Sequence, residues 1–199
     1  MILDELVEIF FTETKGIGIR NQVLLLLLEA LIVFIPGFFM RKKGKTTYKR
    51  LFLIYLFLVY IGVLVSLTLL RRPAGSREDI IHLYVQLGLG INSGKPSLVT
   101  ATYAFYNLLL FVPMGLFVFQ LLRDRDLLKN LIATTLFGGA VSWIIECTQY
   151  NTGRGMFEAT DLLTNTTGCF LGALIALITY KKYFERNSKN CKNSNNDIK

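Results

Sequence analysis

This chain has few of the side chains that bind metals or form disulfides. It contains one histidine, His82, and three cysteines among 199 residues. The histidine has no second histidine, cysteine or close carboxylate at ligand spacing, so the sequence predicts no metal and no cofactor. Cys147 and Cys169 fall within apolar segments and Cys191 in a polar tail, which excludes a framework of paired extracellular cysteines.

The chain also lacks the even mixture of polar and apolar residues that is typical of a soluble domain. It is 52% hydrophobic with a mean hydropathy of +0.45, and its apolar residues are gathered in blocks. Helices of about 20 apolar residues can cross a hydrocarbon core about 30 Å thick. Five blocks reach that length, at residues 22–40, 51–70, 103–122, 130–150 and 162–180. The sequence therefore predicts an all-α integral membrane protein, a bundle of about five transmembrane helices.

Two short segments flank the predicted transmembrane domain, which covers residues 21–182. Residues 1–20 have apolar side chains at helical spacing, which predicts an extracytoplasmic segment lying in the membrane interface; a frayed acidic tail is the alternative. Because this leader is acidic, the first block is predicted to be a permanent span and not a cleavable signal peptide. Residues 183–199 are rich in Asn, Ser and Lys, which predicts a disordered tail.

The distribution of positive charge predicts how the helices cross the membrane. The net charge is +8, but the basic residues are divided among juxtamembrane loops without an accompanying aromatic platform, so no nucleic-acid partner is expected. Most of the 22 Lys and Arg residues lie in the first loop, the third loop and the tail. Cytoplasmic loops retain such residues, which predicts an N-terminus outside, a cytoplasmic C-terminus and an odd number of spans. The expected partner of these charges is the lipid bilayer.

Polar residues crowd the junction of the last two blocks, where they are costly. A carboxylate inside a span costs roughly 2.5 to 3.5 kcal/mol on insertion scales, so Glu146 marks a functional site by default. Glu146 and Gln149 are three residues apart, and Asp161 and Asn165 are four apart, so each pair projects from one side of its helix. Arg154 lies in the loop between them, where it could neutralise a carboxylate or hold an anionic group.

The predicted topology indicates how deep in the membrane these polar residues lie. Glu146 lies four residues below the outer end of its block, or roughly 6 Å. Asn107 and Asn165 are predicted at a similar depth in neighbouring helices. Arg71 and Arg72 end the second block at the level of phosphate headgroups, either as part of the site or as snorkelling interfacial residues.

Small residues predict where the helices approach closely. Gly168 and Gly172 form a small-xxx-small pair, a spacing that lets another helix pack against the backbone. Pro113 and Gly115 interrupt the third block, where a proline can bend a helix and free a carbonyl.

Taken in order, these residues resemble the successive motifs of the VanZ-like membrane protein family. The resemblance covers residues 107–172, and Glu158 departs from it, because the family pattern more often has Asp there. It is carried by Asn107, Phe111, Pro113, Gly115, Glu146, Gln149, Arg154, Glu158, Asp161, Asn165, Gly168 and Gly172. The resemblance implies a multi-pass protein of the bacterial cell membrane. The family's namesake is associated with lowered sensitivity to the glycopeptide antibiotic teicoplanin, and no reaction is implied.

Three functions are compatible with these residues. The first is binding of a lipid-linked cell-wall precursor or glycolipid at the outer leaflet. The binding residues would be Asn107, Glu146, Gln149, Arg154, Glu158, Asp161, Asn165, Arg71 and Arg72. The second is catalysis, with Glu146 and Asp161 as general acid and base. The third is a structural or transport role, in which polar side chains hold helices together. The oligomeric state is left open.

Overall fold

The computed structural model describes residues 19–76, 80–89, 97–122 and 126–196, with the backbone alone for 19–22 and 183–196. Most of this structure is helical. The helices are α1 (Ile19–Lys42), α2 (Tyr48–Val65), α3 (Leu98–Leu122), α4 (Leu127–Asn151) and α5 (Ala159–Asn196). A π-helical turn, Ser66–Leu70, extends α2. Two short strands, β1 (Ile81–His82) and β2 (Phe157–Glu158), pair in parallel.

Within the described residues, five helical segments are long and apolar enough to cross a membrane, which confirms that part of the sequence prediction. They are Val23–Lys42, Tyr48–Leu70, Leu98–Leu122, Leu127–Asn151 and Ala159–Lys182. Each begins or ends within a few residues of its predicted block, because polar residues just outside the apolar blocks continue or cap the helices.

Short capped connections join α1 to α2 and α3 to α4. The hydroxyl oxygen of Thr47 accepts the backbone N–H of Arg50 at 3.3 Å, which begins α2. Asp126 accepts the N–H groups of Leu128 and Lys129 at 3.1 and 3.2 Å at the start of α4. These hydrogen bonds, chiefly that from Lys129, hold the pKa of Asp126 below its ordinary value.

Glycines bring α5 against the backbone of α3 along the centre of the bundle. A Cβ at Gly168 would collide with the carbonyl oxygen of Leu108, and one at Gly172 with that of Val112. Gly115 has the same relation to the carbonyl of Cys169. Close approach of these parallel helices therefore depends on glycine on both sides.

Helix α3 continues through Pro113 without interruption from Leu98 to Leu122. The Tyr60 hydroxyl of α2 donates to the carbonyl of Leu110, one turn before the proline, at 2.8 Å. A buried apolar cluster surrounds this contact and ties α2, α3, α4 and α5 together; it comprises Leu64, Phe111, Met114, Val118, Ile145 and Cys169.

Helix α1 lies at the edge of the bundle and packs on α2. Its Gly37 faces Leu51, and the rings of Phe34 and Tyr55 are 5.5 Å apart. The carboxyl of Glu29 lies against Gly62, and only 7% of Glu29 is exposed. Glu29 thus belongs to the interface between α1 and α2.

One feature differs from the sequence predictions: the paired strands make the fold mostly helical and not purely α. Helix α5 continues past the predicted span to Asn196. The disorder predicted for residues 183–199 stays a prediction. The interfacial helix predicted in residues 1–20 falls almost wholly outside the described residues.

Candidate polar site at one end of the bundle

The connection between α2 and α3 is tied to the connection between α4 and α5 at one end of the bundle. The N–H of Phe157 donates to the carbonyl of Ile80 at 3.1 Å, and the N–H of Gly75 donates to that of Thr152 at 2.9 Å. The N–H of Gln86 donates to the hydroxyl of Thr160 at 2.9 Å. These bonds hold two loops together above the helix ends that carry the predicted site residues.

Three carboxylates meet at this end, and we call Glu146, Glu158 and Asp161 the carboxylate cluster. Glu146 is only 2% exposed, and its Oε2 accepts the backbone N–H of Glu158 at 3.0 Å. The three carboxylates lie close enough to act on one another electrostatically. The Asn107 side chain donates a hydrogen bond to Asp161, and the positive charge of Arg72 acts on the same carboxylate. Residues from α3, α4, α5 and the end of α2 thus converge on the cluster.

A second polar layer lies one helical turn deeper. Asn165 Nδ2 donates to the Ser142 hydroxyl at 2.9 Å, and these residues are 5% and 0% exposed. Ser142 lies four residues before Glu146, and Asn165 four after Asp161, so both pairs follow the same helix faces. Asn165 was expected at the level of Glu146 and Asn107, but its side chain turns to Ser142. The polar residues therefore form two layers.

Gln149 and Arg154 contact the end of α2. Gln149 Nε2 donates to the Thr68 carbonyl at 2.9 Å, and Arg154 Nη1 donates to the Leu69 carbonyl at 2.6 Å. The last carbonyls of a helix lack partners within it, and a cation there also interacts favourably with the helix dipole. These two side chains complete the hydrogen bonding of the π-helical turn.

The turn after α4 explains where Arg154 points. Gly153 has a φ of +59°, a conformation that glycine adopts without strain, and its N–H donates to the Tyr150 carbonyl at 3.1 Å. The N–H of Arg154 then donates to the Gln149 carbonyl at 2.9 Å. The guanidinium is thereby directed to α2, whereas the sequence suggested that it meets a carboxylate or an anionic group.

Arg71 and Arg72 are both partly buried just after the π-helical turn. Arg72 Nη1 donates to the Arg154 carbonyl at 3.4 Å, which places its side chain over the loop between α4 and α5. The positive charge of Arg72 acts on Asp161, whereas the Arg154 guanidinium donates to α2.

Sequence reasoning missed two contributors to this end of the bundle. Ser142 forms a repeat of four and three residues with Glu146 and Gln149, so helical spacing alone could have included it. His82 pairs with Glu158 in the parallel ladder, which brings the histidine backbone beside the carboxylate cluster. No local pattern predicts a pairing between residues so distant in the chain.

The arrangement is rich in hydrogen-bond acceptors. Carboxylates and amide oxygens accept hydrogen bonds from hydroxyl, amide and amine groups. Among the residues that the structure describes, no group of three His, Cys, Asp or Glu side chains has the geometry to hold a metal ion. The chemistry available at this end is hydrogen bonding, charge pairing and proton transfer by carboxyl groups.

Comparison with known proteins supplies the family. Searches of curated proteins and of solved structures returned no match to this chain. The sequence profile of the VanZ/LLP1 family matches residues 52–180, which include α2 to α4, the carboxylate cluster and the transmembrane part of α5. Because this match covers well over half of the 199 residues, the chain belongs to the VanZ/LLP1 family.

Proposed function

We propose that this protein spans the bacterial cell membrane and binds a lipid-linked component of the cell envelope at the outer leaflet. In the proposed orientation the N-terminus is outside and the C-terminus is cytoplasmic. The support is the basic character of the loop between α1 and α2 and of the chain after Tyr180, which belong to the end opposite the carboxylate cluster.

The observation that carries the proposal is the meeting of three mutually repelling carboxylates at one end of the bundle, where Glu146 is only 2% exposed. Polar contacts that merely hold helices together can use neutral groups, as the hydrogen bond from Asn165 to Ser142 shows. Three neighbouring acids stabilise a helix bundle poorly, because like charges repel and their desolvation is costly. Binding of a ligand that donates hydrogen bonds would explain why these three acids are kept together.

The contacts suggest which part of the ligand each residue binds. Glu146, Asp161 and Asn107 would bind hydroxyl, amide or amine groups of a sugar or peptide head. Arg71 and Arg72 lie at the level of headgroup phosphates in the proposed orientation, where a guanidinium can form two parallel hydrogen bonds to an anion. Arg154 would support them through its contact with α2.

The resemblance to the VanZ-like proteins suggests a phenotype for such binding. Teicoplanin carries an acyl chain that favours the membrane surface, so a protein that binds lipid-linked precursors there would alter its action. We therefore expect lowered sensitivity to teicoplanin-type glycopeptides in cells that produce the protein.

Catalysis is the second candidate, favoured by the electrostatic contact between Glu146 and Asp161. Two neighbouring carboxyl groups in different environments can act as general acid and general base on a bound head group. In that case, a substitution that retains binding would still abolish turnover of the lipid.

The binding proposal is tested by identifying envelope lipids that remain with the purified protein. We expect lipid-linked precursors to co-purify with the wild type, as detected by mass spectrometry, and to be lost from Glu146→Gln. The glutamine can still accept the Glu158 N–H, so the fold is retained. Glu29→Gln is the matched control, because Glu29 lies between α1 and α2. Absence of such lipids from the wild type would contradict the proposal.

A further inference from the structure

We propose that the carboxylate cluster, with the buried amide of Asn165 beneath it, binds a protonated primary amine. This inference rests on the proposed function and names the group of the envelope component that the cluster recognises. It is carried by the placement of charges and by one unpartnered buried acceptor.

Acidic side chains from two helices and the strand between them meet in the cluster. Glu146, Glu158 and Asp161 are three potential anions, and Arg72 is the cation whose charge the structure places on one of them, Asp161. The Arg154 guanidinium donates to the Leu69 carbonyl at 2.6 Å. Carboxylate oxygens only accept hydrogen bonds, so three neighbouring acidic side chains favour a ligand group that has N–H donors and a positive charge.

Asn165 gives independent support from the deeper layer. Its Nδ2 donates a hydrogen bond to the Ser142 hydroxyl, whereas its Oδ1 is buried and has no hydrogen-bond partner among the described residues. Asn165 is 5% exposed and lies one turn below Asp161 on the same face of α5. A buried carbonyl oxygen without a donor costs roughly 1 to 3 kcal/mol, so a donor entering from the cluster would relieve that cost.

A primary ammonium group complements these acceptors better than the alternatives. It offers three N–H donors and a positive charge, and its hydrogen bonds to carboxylates are charge-assisted. A hydroxyl offers one donor and no charge. A quaternary ammonium carries the charge but has no N–H to reach Glu146, Asp161 or Asn165.

The amine can belong to a lipid headgroup or to a free small molecule, and the chemistry is the same. The test compares lipids with matched acyl chains and different heads: phosphatidylethanolamine, phosphatidylcholine and phosphatidylglycerol. Full-length protein in detergent is mixed with each lipid, and retention is measured by native mass spectrometry. We expect the ethanolamine lipid to be retained about tenfold more than the choline lipid, a preference of about 1.4 kcal/mol.

Two variants link that preference to the site. Glu146→Gln and Asp161→Asn should each remove most of the preference for the ethanolamine lipid, so that its retention falls towards that of the choline lipid. Both replacements can still accept the hydrogen bonds that hold Glu158 and Asn107. The controls are Glu29→Gln at the interface of α1 and α2 and Asp126→Asn at the opposite end of the bundle, and neither should change the preference.

The outcomes separate this inference from the function on which it rests. Equal retention of the ethanolamine and choline lipids, or a preference unaffected by both variants, would overturn the amine assignment. If lipid-linked precursors still co-purify in a Glu146-dependent way, the proposed function survives that result. Displacement of the bound lipid by excess ethanolamine would show that the amine alone is recognised. A preference that depends on the cluster but resists ethanolamine would assign the amine to a lipid.

Discussion

At the scale of single residues, the polar side chains of this bundle divide by what they contact. Tyr60, Gln149 and Arg154 donate to backbone carbonyls of neighbouring helices and so complete main-chain hydrogen bonding. Glu146 and Asp161 instead act electrostatically on each other, and Glu146 also accepts the backbone N–H of Glu158. Polar groups of the first kind stabilise the fold, whereas those of the second kind are available for a ligand.

The hydrogen bond that the Ser142 hydroxyl accepts from Asn165 also joins two helices, and its removal gives a stability prediction. Ser142→Ala should lower the free energy of unfolding by about 1 kcal/mol, because Asn165 Nδ2 would lose its acceptor in a buried site. Thermal denaturation in detergent measures the change. Thr167→Ala is the control: its hydroxyl donates to the Leu163 carbonyl of its own helix at 2.8 Å, so a change within about 0.5 kcal/mol is expected. Equal effects of the two substitutions would contradict this role of Ser142.

Helical spacing indicates which residues share a face of one helix, but it does not predict their contacts with other helices. It predicted that Glu146 shares a helix face with Gln149 and that Asp161 shares one with Asn165. It could not indicate that Arg154 turns to Leu69, because that contact depends on where a different helix ends. Long flexible side chains are the least predictable part of the site.

At the scale of helices, two devices position the site. The π-helical turn Ser66–Leu70 presents carbonyls to side chains from α4 and the following loop. The glycines of α5 bring it against the backbone of α3, the helix that carries Asn107. The block lengths predicted both helices, while the π-helical turn left no recognisable pattern in the sequence.

Glycine packing gives a prediction that a matched substitution can test. Gly172→Ala should destabilise the protein by about 1 to 3 kcal/mol, because the new methyl group meets the Val112 backbone of α3. Gly139→Ala should cost less than about 0.5 kcal/mol, since its nearest neighbour is the Thr166 side chain at 3.2 Å, which can move. Thermal denaturation compares the two. A similar loss in both variants would indicate that the contact between α3 and α5 is less tight than described.

At the scale of the whole molecule, the two loops above the carboxylate cluster lie at one end, and the loop between α1 and α2 lies at the other. The five apolar blocks were enough to predict that successive loops lie at alternate ends of the bundle, since each block becomes one helix. The ladder between β1 and β2 was not predictable, because two-residue strands have no periodicity to detect. Helix α1 lies outside the residues that match the VanZ/LLP1 family, so the shared architecture begins with α2.

The orientation in the membrane can be tested with single cysteines in a chain whose own three cysteines are replaced by alanine. Thr152→Cys, in the loop after α4, should react with an impermeant thiol reagent on intact cells. Lys45→Cys, in the exposed loop between α1 and α2, should react only after lysis. Mass shifts on a gel measure both reactions, and the opposite pattern would reverse the proposed topology.

The central claim is that the carboxylate cluster acts at the outer leaflet on an envelope component. The most direct measurement compares teicoplanin and vancomycin sensitivity in a susceptible Gram-positive host that produces the wild type, Glu146→Gln or Glu29→Gln at equal membrane levels. We predict lowered teicoplanin sensitivity with the wild type and Glu29→Gln, its loss with Glu146→Gln, and a smaller effect on vancomycin. Equal protection by the wild type and Glu146→Gln, or no protection by the wild type, would contradict the claim.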